Sequence, residues 1–140
     1  MNRLTLVPTA TVAALALAVS ACGDDSSPSE SSSGADAGSA KATALREVGE
    51  TRDGLQAALA TYKKGDHAAA EEQVSEAYLQ HFEHVEGALE DADHELNEKL
   101  EDGIREDLRD DIKARKPAAE VEQAVEALLA DLDKAEALLR

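Results

Sequence analysis

The sequence predicts an all-α protein, an antiparallel up-down-up-down four-helix bundle that follows a signal peptide and a disordered linker. Alanine, leucine, glutamate and lysine, which favour helices, dominate the chain from residue 41 onward. Apolar residues recur there at steps of three and four, and no stretch alternates as a strand would. Residues 41–140 are enough for one modest core, and short connections imply antiparallel neighbours.

Residues that cap or stop helices mark the ends of the four predicted elements. Gly65 can adopt the left-handed conformation that closes a helix, and Asp66 can cap the next helix. Pro117 suits a first helical turn, where its missing N–H is not needed. Residues 91–93 predict a break between the second and third helices. The alternative is that these two helices form one continuous helix. The predicted helices span about residues 41–64, 67–90, 94–115 and 117–140.

Apolar spacing predicts which face of each helix is buried. In the third helix the apolar residues are spaced by four, so the stripe drifts around the axis and takes in Asn97 and Asp111. The four predicted stripes are Leu45, Val48, Leu55, Leu59 and Tyr62; Val74, Tyr78, Phe82, Val85 and Leu89; Leu96, Leu100, Ile104, Leu108 and Ile112; and Val121, Val125, Leu128, Leu132 and Leu139.

The N-terminus has the parts of an export signal. Arg3 gives residues 1–21 a small positive region, and an apolar stretch too short and dilute for a membrane span follows it. Cys22 is the only cysteine, and residues 17–22 resemble the lipobox of bacterial lipoproteins. That resemblance implies cleavage before Cys22, lipidation of its thiol, and anchoring at the extracytoplasmic face of a bacterial membrane. The alternative is an ordinary secretory signal with an accidental cysteine.

A linker separates the predicted anchor from the helices. Residues 23–40 carry no branched or aromatic apolar side chain, so they cannot bury enough surface to offset their ordering entropy. We expect a disordered spacer that holds the helical domain off the membrane. The predicted organisation is a signal peptide over 1–21, a lipidated tether over 22–40 and a helical domain over 41–140.

Composition restricts the function. The chain has 30 acidic and 14 basic side chains, a formal net charge of −16, so nucleic acid and anionic lipid head groups would be repelled. Cations and basic proteins are the natural partners, although high charge also simply keeps a domain soluble. We expect no enzymatic activity, because the serines lie mostly in the linker and the cysteine is predicted to carry lipid.

Candidate metal ligands cluster in residues 78–95, which hold three of the four histidines among many acids. On a regular helix His81 and His84 lie on one flank of the apolar stripe, and Glu83, Glu86 and Glu90 on the other. A metal site therefore needs one flank and a neighbouring helix. Carboxylates suit ferric iron, manganese or calcium, whereas histidines suit zinc, copper or ferrous iron. The alternative is that both flanks are simply solvated.

Most of residues 60–140 resembles the extracytoplasmic helical domain of bacterial iron permeases, in the oxidase-dependent iron transporter (iron/lead permease) family. The resemblance implies a module associated with iron uptake, in which Glu83, Glu86 and Glu101 match the acidic positions. No polytopic membrane segment follows, so we expect this chain not to transport iron itself. The matching pieces are Tyr62-Lys-Lys-Gly65-Asp66, Ala77-Tyr78-Leu79-x-x-Phe82-Glu83-x-Val85-Glu86-x-x-Leu89, Leu100-Glu101 and Leu108-Arg109.

A second similarity to these permeases lies in the first predicted helix. Arg46, Glu47 and Glu50 match the Arg-Glu-x-x-Glu pattern that such permeases use inside the membrane. Here the pattern falls on a soluble helix with no low-dielectric pore around it, so we interpret the match as coincidental.

Two functions remain open from the sequence. In the first, a membrane-anchored lipoprotein binds iron or another cation and passes it to a permease, with Glu83, Glu86 and Glu101 as the main ligands and His81 or His84 as additions. In the second, the bundle is a metal-free interaction or scaffold module that docks on a protein of the cell envelope.

Overall fold

The computed structural model describes the backbone of residues 33–140 and the side chains of residues 38–140. The described residues form four helices and no strand. The predicted signal peptide, Cys22 and most of the linker lie outside the described residues. None of the described helices is long and apolar enough to cross a membrane. The helices are α1 (Ser33–Lys63), α2 (His67–Glu76, continued by Ala77–Phe82 and Glu83–Ala92), α3 (His94–Asp102, continued by Gly103–Asp107 and Leu108–Lys113) and α4 (Ala118–Leu139).

The helix ends follow the predicted caps closely. Gly65, with φ +91°, lies in the turn between α1 and α2. The Asp66 carboxylate accepts a hydrogen bond of 3.1 Å from the Ala69 amide and so caps α2. A single extended residue, Asp93, separates α2 from α3 and caps α3 by accepting a bond of 3.0 Å from the Leu96 amide. Two helices rather than one rod therefore occupy residues 67–113.

The start of α1 differs from the prediction. We expected the helix to begin near Lys41, but it begins at Ser33 and so takes in the last part of the segment predicted to be disordered. Extending an existing helix adds one hydrogen bond for each residue ordered, which is far easier than nucleating a new one. The core of α1 thus supports a backbone extension that buries little surface of its own, since residues 38–42 are exposed.

One hydrophobic core holds the four helices together. The apolar residues of α3 that are spaced by four are all buried, and Asn97, on the drifting edge of that stripe, is only 6% exposed. Leu45 and Leu59, predicted as core residues of α1, are only partly buried and pack against the edge of the core. The largest fully buried side chains are Phe82, Leu55, Leu89, Leu100, Ile104, Leu108, Ile112, Leu132, Leu139, Val48, Val74 and Val85.

Helices α2 and α3 each contain a π-helical segment, which the sequence analysis did not predict. The segments are Ala77–Phe82 in α2 and Gly103–Asp107 in α3. Each begins where another helix approaches closely. A Cβ atom added to Gly54 of α1 would lie 2.8 Å from the Ala77 Cβ, and one added to Gly103 would lie 2.7 Å from Leu128 Cδ2 of α4. Small residues therefore allow both close approaches.

Ion pairs between helices show how neighbouring helices run. Arg52 of α1 lies 2.6 Å from Asp133 of α4, and Lys63, further along α1, pairs with Glu122, which lies earlier in α4. Residue numbers thus rise along α1 as they fall along α4. Ion pairs also join the other neighbouring helices, in the pairs Glu47–His81, Glu71–Arg109 and Lys99–Asp131.

The contact between Gly54 and Ala77 gives a stability prediction. Gly54→Ala lowers the free energy of unfolding by about 1–2 kcal/mol, because overpacking typically costs about 1–3 kcal/mol and the better helix propensity of alanine returns less than that. Gly49→Ala is the matched control on the same helix, since its new methyl would meet nothing within 4 Å. It should raise stability by about 0.5–1 kcal/mol. Urea unfolding followed by circular dichroism measures both; equal effects would contradict the close approach.

Candidate functional site

His81 lies in the π-helical segment of α2 and reaches α1. Its Nδ1 atom is 2.8 Å from Oε2 of Glu47, whose other oxygen accepts a bond of 2.6 Å from Arg46. Glu47 is only 7% exposed, and the Thr51 hydroxyl donates to its backbone oxygen at 2.8 Å. The hydrogen bond from His81 lowers the pKa of Glu47 despite the opposing effect of burial. His81 is therefore half-buried and already paired with a carboxylate.

Glu86 and Glu101, on α2 and α3, lie on either side of a tyrosine and an arginine. The Tyr78 hydroxyl donates to Glu86 Oε1 at 2.7 Å, and Arg105 lies beside the same hydroxyl. Arg105 also donates to Glu101 Oε1 at 2.7 Å and to Glu106 at 3.2 Å. Burial, together with the bond to Glu86, raises the pKa of Tyr78 to about 12. The guanidinium of Arg105 thus supplies the positive charge among these carboxylates.

Glu83 and His84 lie in a different place, on an exposed part of α2. Both line an open groove of about 780 Å³ between the beginning of α1 and the second half of α2, together with Asp91. Neither Glu83 nor His84 makes a hydrogen bond or ion pair to another described side chain. These two predicted ligands are therefore the only ones of the five that remain free among the residues whose side chains are described.

The five predicted metal ligands thus occupy three separate positions. His81 contacts α1, Glu86 and Glu101 are linked through Tyr78 and Arg105 between α2 and α3, and Glu83 and His84 line the groove. Within residues 38–140, no three histidine, cysteine or carboxylate side chains are grouped so that they could hold a metal ion. Glu101 already has a cationic partner in Arg105, and Glu86 already accepts from the Tyr78 hydroxyl.

Sequence reasoning missed three residues of these networks. Glu47 was visible in the Arg-Glu-x-x-Glu pattern, but we interpreted that pattern as coincidental; Tyr78 was predicted only as a core residue. Arg105 was not singled out, although it lies four residues after Glu101, the spacing of a helical ion pair. That four-residue spacing could have identified Arg105 as the partner of Glu101. The contact of Glu47 with His81 depends on how α1 and α2 pack, so no local spacing reveals it.

A further polar cluster lies at the junction of α2 and α3. His94 Nδ1 is 2.7 Å from Glu90 Oε1, and its Nε2 is 3.6 Å from Glu98 Oε1. The second oxygen of Glu90 accepts a bond of 3.1 Å from the buried Asn97 amide. The two glutamates approach opposite nitrogens of one imidazole, so they stabilise its protonated form rather than sharing a metal with it. The hydrogen bond that His94 donates to Glu90 raises the pKa of His94 and lowers the pKa of Glu90.

Comparison with known proteins does not add a relative. No protein-family model, no curated protein and no solved structure matches the chain significantly. The resemblance to the iron permease domain stays a prediction, and the function is argued below from the residues themselves.

The junction cluster gives a pH prediction. The stabilisation that His94 gives the folded state is fully present below its ordinary pKa of 6.5 and is lost as the pH rises through its raised pKa. The stabilisation that Glu90 gives the folded state is present above its ordinary pKa of 4.5 and is lost as the pH falls through its lowered pKa. Both contribute between these values. Glu90→Gln should move the pKa of His94 back toward 6.5, as measured by NMR titration of the imidazole. Glu72→Gln, on the exposed face of the same helix, should leave it unchanged; a shift of equal size there would contradict the pairing.

Proposed function

We propose that the chain is a lipid-anchored interaction module at the extracytoplasmic face of a bacterial membrane. In this proposal residues 1–21 direct export, Cys22 carries the lipid, and the helical domain recognises a protein of the envelope. The sequence supports the anchor through the small residues that precede the single cysteine and the polar segment that follows it. Two or more acyl chains would hold such a domain firmly at the surface.

The observation that carries the interaction role is the state of the predicted ligands. His81 is paired with Glu47, and Glu86 is paired with Tyr78. Glu101 is neutralised by Arg105, which leaves only the surface residues Glu83 and His84 without a protein partner among the described side chains. An arrangement of satisfied interior groups and a free acidic surface favours recognition of a partner over coordination of an ion.

We infer that the helical domain is an antiparallel up-down-up-down four-helix bundle. The reversed order of the cross-helix ion pairs and the short connections support this topology. Binding on such a scaffold uses rigid helix faces. We propose no catalytic role, since the titratable groups brought together here are paired acids and bases rather than a nucleophile with its base.

Metal relay is the second candidate, and the arrangement around Arg105 favours it. Glu101, Glu106 and the Tyr78 hydroxyl present oxygen atoms to the Arg105 side chain, which is 43% exposed, and Glu86 accepts from the same hydroxyl. A hard cation would prefer the same oxygen donors if Arg105 moved aside into solvent. Iron delivered in this way would pass to an uptake system, as the permease resemblance implies.

The anchor can be tested by fractionating cells that express the full chain. Wild type should sediment with membranes and partition into detergent, because its lipid is covalently attached. Cys22→Ser should appear in the soluble extracytoplasmic fraction, whereas the neighbouring substitution Ser26→Ala should behave as wild type. Membrane retention of Cys22→Ser would refute lipidation as the anchor.

The interaction role can be tested by photo-crosslinking in living cells. A benzoylphenylalanine at the exposed position Leu79 of α2 should give one discrete adduct with an envelope protein, because α2 carries the free acidic surface. The same group at Gln56, exposed on α1, is the matched control and should give none. Adducts absent at both positions, together with metal stabilisation of the protein, would favour the second candidate instead.

Calorimetric titration with ferrous, ferric, zinc and calcium ions tests the metal role. If cations bind around Arg105, the Arg105→Gln variant should bind more tightly than wild type, since it removes the competing charge. Adding Glu86→Gln and Glu101→Gln should abolish that gain. Identical weak binding by all these variants would exclude this position as a metal site.

A further inference from the structure

The open groove beside α2 has the shape of a docking site. Its walls come from the first turns of the described part of α1 and from the second half of α2, and the buried Leu139 of α4 closes one side. Ala40 and Ala88 line it, so its apolar surface belongs to small side chains. With a volume of about 780 Å³, it can accept several side chains of a partner, and the described helices leave it uncovered.

Gly87 gives the groove its depth. The residue is exposed and lies in the middle of the helical segment Glu83–Ala92, where alanine would be the better helix former. A Cβ atom placed on Gly87 would meet no atom within 4 Å. The fold therefore does not require a glycine here for packing, and a larger side chain would simply fill the groove.

Charge identifies the kind of partner. Helix α2 carries seven acidic side chains and no lysine or arginine, and two of these acids, Glu83 and Asp91, line the groove. Among the residues whose side chains are described, Lys41 is the one lysine or arginine that lines it. Leu79, one helical turn before Glu83, is 52% exposed but lies beside Arg105 and Arg109 rather than in the groove, so the apolar surface of the groove comes from its own lining. An apolar floor between carboxylates is complementary to a segment with apolar anchors and flanking cations.

We propose that this groove binds a basic, amphipathic segment of the partner protein, with apolar side chains against Gly87 and lysine or arginine against Glu83 and Asp91. The inference rests on the proposed interaction function and specifies its surface. The groove lies at the end of the domain where α1 begins, which is the end joined to the predicted tether. A segment protruding from a membrane protein would therefore reach it directly.

A pair of synthetic peptides tests the proposal on the mature chain, residues 22–140 with Cys22→Ser. One is an amphipathic peptide of leucine and lysine, about 14 residues or four helical turns long. The other has glutamate in place of every lysine. The lysine peptide should bind, shift the amide resonances of Ala40, Gly87 and Ala88, and weaken with salt; the glutamate peptide should not bind.

A bulky side chain placed in the groove distinguishes peptide binding there from binding elsewhere on the surface. Gly87→Leu should weaken binding of the lysine peptide at least tenfold. Gly49→Leu is the matched control, because a Cβ at Gly49 also meets nothing within 4 Å and Gly49 does not line the groove. Circular dichroism should show both variants folded. If Gly87→Leu binds as wild type does, the proposal is refuted.

Removing charge in two places tests electrostatic specificity. Glu83→Gln with Asp91→Asn should weaken binding by about threefold to tenfold, as expected for two exposed ion pairs. Glu72→Gln with Glu76→Gln removes the same charge from α2 outside the groove and should have much less effect. Equal losses would show non-specific attraction to an acidic protein and overturn the proposal. If crosslinking in cells gives an adduct with an envelope protein but the lysine peptide does not bind in the groove, the groove proposal is refuted. The interaction function would then use another face of the domain.

Discussion

The four-residue spacing of apolar side chains is the constraint on which the rest of this structure depends. A turn of α-helix takes 3.6 residues, so each four-residue step overshoots by about 40° and carries the stripe off the core. The π-helical segment Gly103–Asp107 widens one turn of α3 and compensates for that drift, so every residue from Leu96 to Ile112 in the repeat stays buried. In α2 the segment Ala77–Phe82 has the same effect on the spacing of Val74, Tyr78 and Phe82.

The wide turns also decide which polar groups meet. They place Tyr78 on one helix beside Arg105 on the next, with Glu86 accepting from the Tyr78 hydroxyl, and they turn His81 toward Glu47 on α1. In each case a carboxylate gains a hydrogen-bond donor from the protein itself. Glu83 and Asp91 lie instead on the outer surface of α2, where the proposed partner would bind.

Local signals in the sequence were sufficient for the number of helices and for most of their ends. Gly65, Asp66 and Asp93 each have a conformational or capping role that a short segment reveals by itself. The helical extension before Lys41 depends on propagation from the packed part of α1, and the π-helical segments lie where another helix approaches closely; neither was predicted from the sequence. The site was less accessible: the family resemblance pointed to Glu86 and Glu101 but not to Arg105, and the partner of His81 is 34 positions away. The drifting stripe of α3 was a usable sign of a widened turn.

The position of α1 has a mechanical consequence. This helix contacts α2 through the Glu47–His81 pair and the Gly54–Ala77 approach, and it contacts α4 through Arg52. A force applied through the preceding chain would act along the axis of α1 and would load all of these contacts together. Loading in shear shares the force among them, whereas peeling would break them one by one. If the proposed tether pulls on α1, the domain would therefore resist unfolding better than one held by a peripheral helix.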